Sequence, residues 1–347
     1  MNKRIFPKII GNNVIKNFIG NDILCGSCSH AYIIEGPEGS GKRTIARQIA
    51  SGLSCYNKSS ASHDLPCGEC DNCHRIFSDI SSDVVWVSSG DKASIGIDEI
   101  RNIKTGLYVT PNDSDYRTYI IVNAERMTTQ AQNALLLTLE EPPSFAVFLL
   151  LTEDATKLLE TVRSRAQCIR TEKFSSVTIA DYLSDSYEGK RIRNSFPEKF
   201  AAAVSLSDGS LGRAKELLAG TEATSEILKL RVEAKKLIPL MCNSKTAQML
   251  KLGLTNSLKN NRDAKVLLQI VDSAIRDMVT VKRTSSDNLM FYVSEQEALE
   301  AASEASLKKL FHIHTELVRA IMRLDSNVAL KIVLTDMFIK ISDYRRK

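Results

Sequence analysis

The sequence predicts an α/β protein: a mostly parallel sheet covered by helices on both faces, followed by an all-helical region. Three observations carry that prediction. A glycine-rich loop at residues 36–43 joins a short apolar strand to a helix. Strand and helix patterns then alternate to about residue 173, and strand patterns stop after Phe174. Alternation of this kind needs crossover connections and therefore a sheet buried on both sides.

Strands are expected at residues 31–34, 84–87, 118–122 and 147–152, each a short apolar run. A helix is expected over 43–53, where Ile45, Ala46, Ile49, Ala50 and Leu53 recur at helical spacing. A second spans 97–108, opened by Asp98-Glu99. A third spans 128–139 and ends at Glu140-Glu141-Pro142-Pro143, because proline lacks the N–H a helix needs. Beyond Phe174, residues 177–184 and 198–218 form short helices with turn residues Asp208-Gly209-Ser210. From about residue 221 the pattern is helical. Val266, Leu267, Ile270, Val271, Ala274, Ile275, Met278 and Val279 make one apolar stripe, and Leu307, Leu310, Phe311, His314, Leu317, Val318, Ile321 and Leu324 another. Such stripes are packing faces.

Composition narrows the function classes. The 347 residues are 43% hydrophobic and 25% charged, with a net charge of +5, which is compatible with nucleic-acid contact without requiring it. The longest apolar run, residues 146–151, is far too short to cross a bilayer. Lys3 and Arg4 are followed by no apolar stretch of signal-peptide length, so the expectation is a cytoplasmic protein with no membrane contact. There the eight cysteines are expected to be reduced or metal-bound rather than paired in disulfides.

Gly36-Pro37-Glu38-Gly39-Ser40-Gly41-Lys42-Arg43 has the glycines and lysine of a phosphate-binding loop. Backbone N–H groups and a helix N-terminus would face the anion there, and the lysine would meet its outer phosphates. The hydroxyl that should hold magnesium is replaced by Arg43, and Thr44 comes one position late. Strand 118–122 is where a metal-holding Asp and a water-activating Glu belong, yet Val122 and Asn123 stand at its tip. Asp113 and Asp115 precede the strand, and Glu125 follows two residues late. The pattern supports either an occupied loop or a vestigial one, and it argues against intrinsic ATP hydrolysis with magnesium.

Cys67, Cys70 and Cys73 recur at two-residue spacing downstream of Cys55. Four thiolates so spaced suit tetrahedral structural zinc, with His63 and His74 as nearby alternative ligands. Cys25 and Cys28 form a lone pair, while Cys168 and Cys242 are expected in the core.

Taken together, His30-Ala31-Tyr32, the phosphate loop, the cysteine set, residues 133–143 with their Glu-Glu-Pro-Pro ending, Ser164-Arg165 and residues 209–214 resemble the clamp-loader branch of the AAA+ superfamily. Within it, the resemblance is to the bacterial DNA polymerase III delta-prime subunits. It covers about the first 215 residues, and Asn327-Val328-Ala329-Leu330 is similar to the family's last helices. The resemblance implies an AAA+ core over residues 1–173 with an inserted zinc module at about 55–73, a helical lid over 174–220 and a helical collar over 221–347. It assigns Gly36, Gly39, Ser40, Gly41, Lys42, Arg43 and Thr44 to the nucleotide loop, Thr152 to the sensor on the neighbouring strand and Arg213 to the sensor in the lid. Ser164-Arg165 matches a Ser-Arg-Cys motif whose arginine completes the ATP site of an adjacent subunit; here Ala166 replaces the cysteine. The implied partners are gamma/tau motor subunits and a delta subunit in a pentameric ring, the sliding clamp, and primer–template DNA through its backbone. Because gamma/tau keeps the hydroxyl and acids that Arg43, Val122 and Asn123 replace, those departures point to delta-prime. The alternative is a divergent motor with its own DNA-stimulated ATPase.

Overall fold

The computed structural model describes residues 4–343, except 91, 197–198, 201–202, 205–206, 208, 220–221, 254–259, 285–288, 290, 293–294 and 327. Positions 198, 201–202, 205–206 and 208 of the expected lid helix and turn, and 327 of the expected last helices, therefore lie outside the described residues. The chain divides into two compact units, Met1–Lys173 and Phe174–Lys347.

The first unit is built on five parallel strands, β1 (Ala31–Glu35), β2 (Val84–Val87), β3 (Arg117–Val122), β4 (Ala146–Thr152) and β5 (Gln167–Arg170), in the order β2-β3-β4-β1-β5. This is the parallel α/β sheet expected from the alternating pattern. All seven residues of β4 are buried. Because side chains alternate across a strand, Val147, Leu149 and Leu151 enter one apolar cluster while Ala146, Phe148 and Leu150 enter the other. Helices α1 (Asn13–Cys25) and α2 (Lys42–Ser54) supply Ile15, Ile19, Ile45 and Ile49 to the first cluster. Helices α4 (Ile97–Leu107) and α5 (Thr129–Glu140) supply Ile100, Ile103, Leu135 and Leu139 to the second. Between them, α3 (Asp71–Phe77) carries part of the cysteine motif, and α6 (Glu160–Arg163) leads to β5.

Two elements carry no local sequence signal. The start of α1 has no side-chain cap of its own, and Asn12 sits in the left-handed region. Instead the Glu172 carboxylate, remote in sequence, accepts from the backbone N–H groups of Asn12 at 2.7 Å and Asn13 at 3.1 Å. That places a negative charge where the helix dipole favours one. β5 is an edge strand with three of four residues exposed. Cys168 lies on it and is exposed, not in the core as expected from its apolar character; Cys242 is buried.

The second unit is helical: α7 (Ser176–Asp185), α8 (Tyr187–Ser195), α9 (Leu211–Ala219), α10 (Glu222–Cys242), α11 (Thr246–Gly253), α12 (Asn261–Arg283), α13 (Glu295–Ser303), α14 (Leu307–Asp325) and α15 (Leu330–Asp343). One apolar cluster runs through it from Ile179 to Ile341. The α12 stripe packs inward as its spacing predicts. On α14 the buried face is centred on Leu310, Ile313, Leu317, Ala320 and Leu324, so Phe311 falls at its edge, exposed beneath the Arg283 guanidinium. No described helix is long and apolar enough to cross a membrane.

Candidate nucleotide loop and metal centre

Helix α2 links two sites. At its start, β1 delivers the chain into the glycine-rich loop, and Gly36 N–H donates to the Thr152 carbonyl at 3.0 Å. A Cβ on Gly36 would lie 1.9 Å from Thr171 Oγ1 and 2.8 Å from Ser40 Oγ, so only glycine fits. Gly41 turns the loop into the helix at φ 87°. Lys42 is only 9% exposed and folds back on the loop, donating to the carbonyls of Gly36 at 2.6 Å and Pro37 at 2.9 Å. Burial lowers its pKa from the usual lysine value, against the carboxylates of Glu153, Glu125 and Glu38, which raise it.

Thr152, beside the loop on β4, is fully buried. Its hydroxyl is engaged by the following turn, donating to the Asp154 carbonyl at 3.1 Å and accepting from Asp154 N–H at 3.2 Å. Ser40 Oγ is buried and has no hydrogen-bond partner. Arg43 and Thr44 both point to solvent. At the tip of β3, Val122 is buried and Asn123 takes a left-handed backbone with φ 54°. Glu125 lies in the short turn Ala124–Arg126 that follows, with one carboxylate oxygen buried and unpartnered. Sequence spacing set Glu125 aside as two residues late, and Glu153 passed unnoticed because it follows β4 rather than β3. Their charges nonetheless act on Lys42. Arg213 is in the second unit near the start of α9, where its N–H donates to Ser210 Oγ.

At the far end of α2, Cys55 follows the last helical residue. The sulfurs of Cys55, Cys67, Cys70 and Cys73 all lie within 4.8 Å of one another, with Cys67 and Cys73 3.9 Å apart. Four sulfurs around zinc at 2.3 Å would be separated by about 3.8 Å, so this donor set fits a closed tetrahedral site. Cys55 and Cys73 are buried, and the neighbouring Cys73 thiol lowers the Cys55 pKa. The motif is anchored on three sides. Asn72 Nδ2 donates to the Ser54 carbonyl at 2.8 Å and the Asp113 carbonyl at 2.7 Å, Arg75 pairs with Asp113, and Leu65 exchanges backbone bonds with Arg4 and Phe6.

Ser164-Arg165 lies apart from both sites, between α6 and β5. Arg165 Nη2 donates to Glu140 Oε1 at 2.8 Å and Nη1 to the Thr161 carbonyl at 3.1 Å, leaving the guanidinium half-exposed. Ser164 Oγ donates to the same carbonyl at 3.0 Å.

Residues 11–175 match the family described as DNA polymerase III, delta subunit. The matched segment falls almost entirely within the N-terminal unit, which is similar to this family. The chain is 34% identical over 214 residues to DNA polymerase III subunit gamma of Buchnera aphidicola subsp. Schizaphis graminum, covering 61% of this chain and 57% of that one. It is 31% identical over 213 residues to subunit tau of Bacillus subtilis, covering 61% and 37%. The chain thus spans about half or less of the length of these relatives. Among solved structures, a DNA polymerase III gamma subunit-related protein from Thermotoga maritima aligns over 95% of this chain and 99% of its own, at 20% identity and a TM-score of 0.41. Within the matched segment, the loop and the cysteine cluster are the two sites with chemistry to explain.

Proposed function

We propose that the chain is a delta-prime-type stator of a cytoplasmic clamp loader, silent in ATP hydrolysis itself and serving a neighbouring motor subunit through Arg165. The observation that carries this reading is the tip of β3. Val122 and Asn123 offer no carboxylate there, Arg43 offers no hydroxyl, and Lys42 is spent on its own loop. Magnesium and an attacking water would have no holder of the usual kind. Arg165, by contrast, stands half-exposed beyond a short helix, where a guanidinium could meet a γ-phosphate held by another chain. Such an arginine contributes roughly 10³–10⁵ in rate. In this proposal residues 174–220 form the lid and 221–347 the collar of a ring with gamma/tau and delta subunits. Zinc is structural, and the basic chain touches primer–template DNA through phosphates as the ring places the sliding clamp.

One observation favours a second reading. The Glu125 charge acts on Lys42, so a displaced acid could serve a divergent motor. Hydrolysis of ATP by the isolated chain with magnesium and primed DNA separates the two. A background rate, equal in Lys42→Ala, with turnover of the reconstituted complex falling at least tenfold in Arg165→Ala while assembly survives, supports the stator. Turnover by the isolated chain that Lys42→Ala abolishes sinks it in favour of the motor.

A further inference from the structure

The second unit carries an acid-rimmed cleft between α10 and α13, remote in sequence from both the loop and the cysteine cluster. Its volume is about 230 Å³, below the roughly 300–1,000 Å³ of pockets for drug-sized molecules, which suits a single side chain. The buried part of its lining is apolar and aromatic: Ile238, Phe291 and Tyr292. Glu297, Glu300 and Glu304 follow at steps of three and four residues, so they share one helical face, and all three line the cleft. Among the described lining residues the one cation is Lys235, paired with Glu297 at 3.3 Å. Two carboxylates are therefore in excess there, in a chain whose net charge is +5. Lys282 and Lys309 lie behind the cleft, where they donate to the carbonyls of Ala305 and Cys242.

Two further acceptors lack partners. Tyr292 is only 9% exposed, and no described residue bonds its hydroxyl; its backbone N–H is the group that donates to Asp277, at 3.1 Å. The phenol is within reach of the Glu297 and Glu304 charges, and it keeps its proton because burial, reinforced by these neighbours, pushes its pKa up. Pro239 lies inside α10 and has no N–H, so the Lys235 carbonyl one turn back loses its helical donor. Both of those residues line the cleft.

We propose that this cleft receives an arginine side chain of a partner protein, with its apolar stem on Ile238 and its guanidinium at Glu300, Glu304 and the Tyr292 hydroxyl. A guanidinium brings five donors to a site that offers acceptors in excess. It also stacks on aromatic rings and is more weakly hydrated than an ammonium, which favours arginine over lysine. Arginines seated in such pockets are frequent anchors of protein interfaces.

The test titrates the full chain, isotope-labelled at its isoleucine methyls, with the blocked tripeptide Ala-Arg-Ala, with its citrulline counterpart and with spermidine. The arginine peptide should shift the Ile238 methyl saturably, in roughly the millimolar range expected of so small a ligand. Citrulline keeps the shape and loses the charge, so its peptide should bind at least about tenfold more weakly. Glu300→Gln combined with Glu304→Gln alters two exposed side chains, and should weaken the arginine peptide about fivefold while leaving the melting temperature unchanged. An equal response to citrulline, or equal affinity in the double variant, overturns the cation site. Tighter binding of spermidine than of the arginine peptide makes the cleft a polyamine site and overturns the protein side chain. A shift of the same methyl on raising the concentration of the chain alone makes the occupant a second copy and overturns a separate partner.

Discussion

The two ends of α2 make an instructive pair, because one helix starts at a site whose donors look inward and finishes at a site whose donors look at each other across a gap. At the loop, Lys42 is satisfied by Gly36 and Pro37, and Thr152 by Asp154. At the cysteine cluster, four sulfurs converge and Asn72, Arg75 and Leu65 brace them from outside. Both ends are well packed, but only the cysteine end brings together four donors spaced to fit a metal. A phosphate loop can keep its shape because glycine geometry and strand packing maintain it. Its chemistry depends on a few carboxylates and hydroxyls at the strand tip and first helical turn, which the fold does not need.

If that contrast is right, the largest single effect should come from the cysteine end. Removing metal by chelation, or replacing the buried ligand in Cys73→Ser, should lower the melting temperature by about 5–10 °C. The estimate follows from roughly 2.7 kcal/mol of linkage at zinc 100-fold above its dissociation constant, spread over a domain of this size. The loss should be confined to the first unit and should register as faster amide exchange around α3 and the end of α2. A chelator that leaves the melting curve of the chain untouched would break the comparison.

The loop end should respond through packing rather than ligand chemistry. Gly36→Ala places a methyl 1.9 Å from Thr171 Oγ1, and overpacking of that kind costs about 1–3 kcal/mol. Adding Thr171→Ala should recover part of that loss, because it removes the hydroxyl in the way. Urea unfolding of the two single variants and the double variant measures the coupling directly. Additive losses would mean the collision is relieved elsewhere.

Much of this was legible in the chain itself, and the exceptions have physical causes. The fully apolar run of β4 announces a strand buried on both faces, and the glycines, lysine and Pro142-Pro143 punctuate their neighbours. β5 is invisible because an exposed edge strand has no apolar run to show, and Cys168 was misplaced with it. The capping charge of α1 comes from Glu172, where no local pattern could reveal it. Glu125 and Glu153 gained meaning only when β3 and β4 were seen side by side, since parallel register brings together turns far apart in sequence.

The smallest effect expected belongs to the contact between Arg165 and Glu140, and it sharpens the contrast between a chain that serves its own loop and one that serves a neighbour. Both side chains are more than a third exposed, so the 2.8 Å pair should contribute no more than about 0.5 kcal/mol to stability, less in high salt. The Thr161 carbonyl holds the other Nη, so the guanidinium stays roughly placed when Glu140 is changed. What Glu140→Gln removes is an anion competing with any phosphate for Arg165. Turnover of the reconstituted complex should therefore rise, by about twofold at most for 0.5 kcal/mol, while the melting temperature stays within about 2 °C. A tenfold fall instead would mean that Glu140 aims the arginine and that its competition for the guanidinium is the lesser effect.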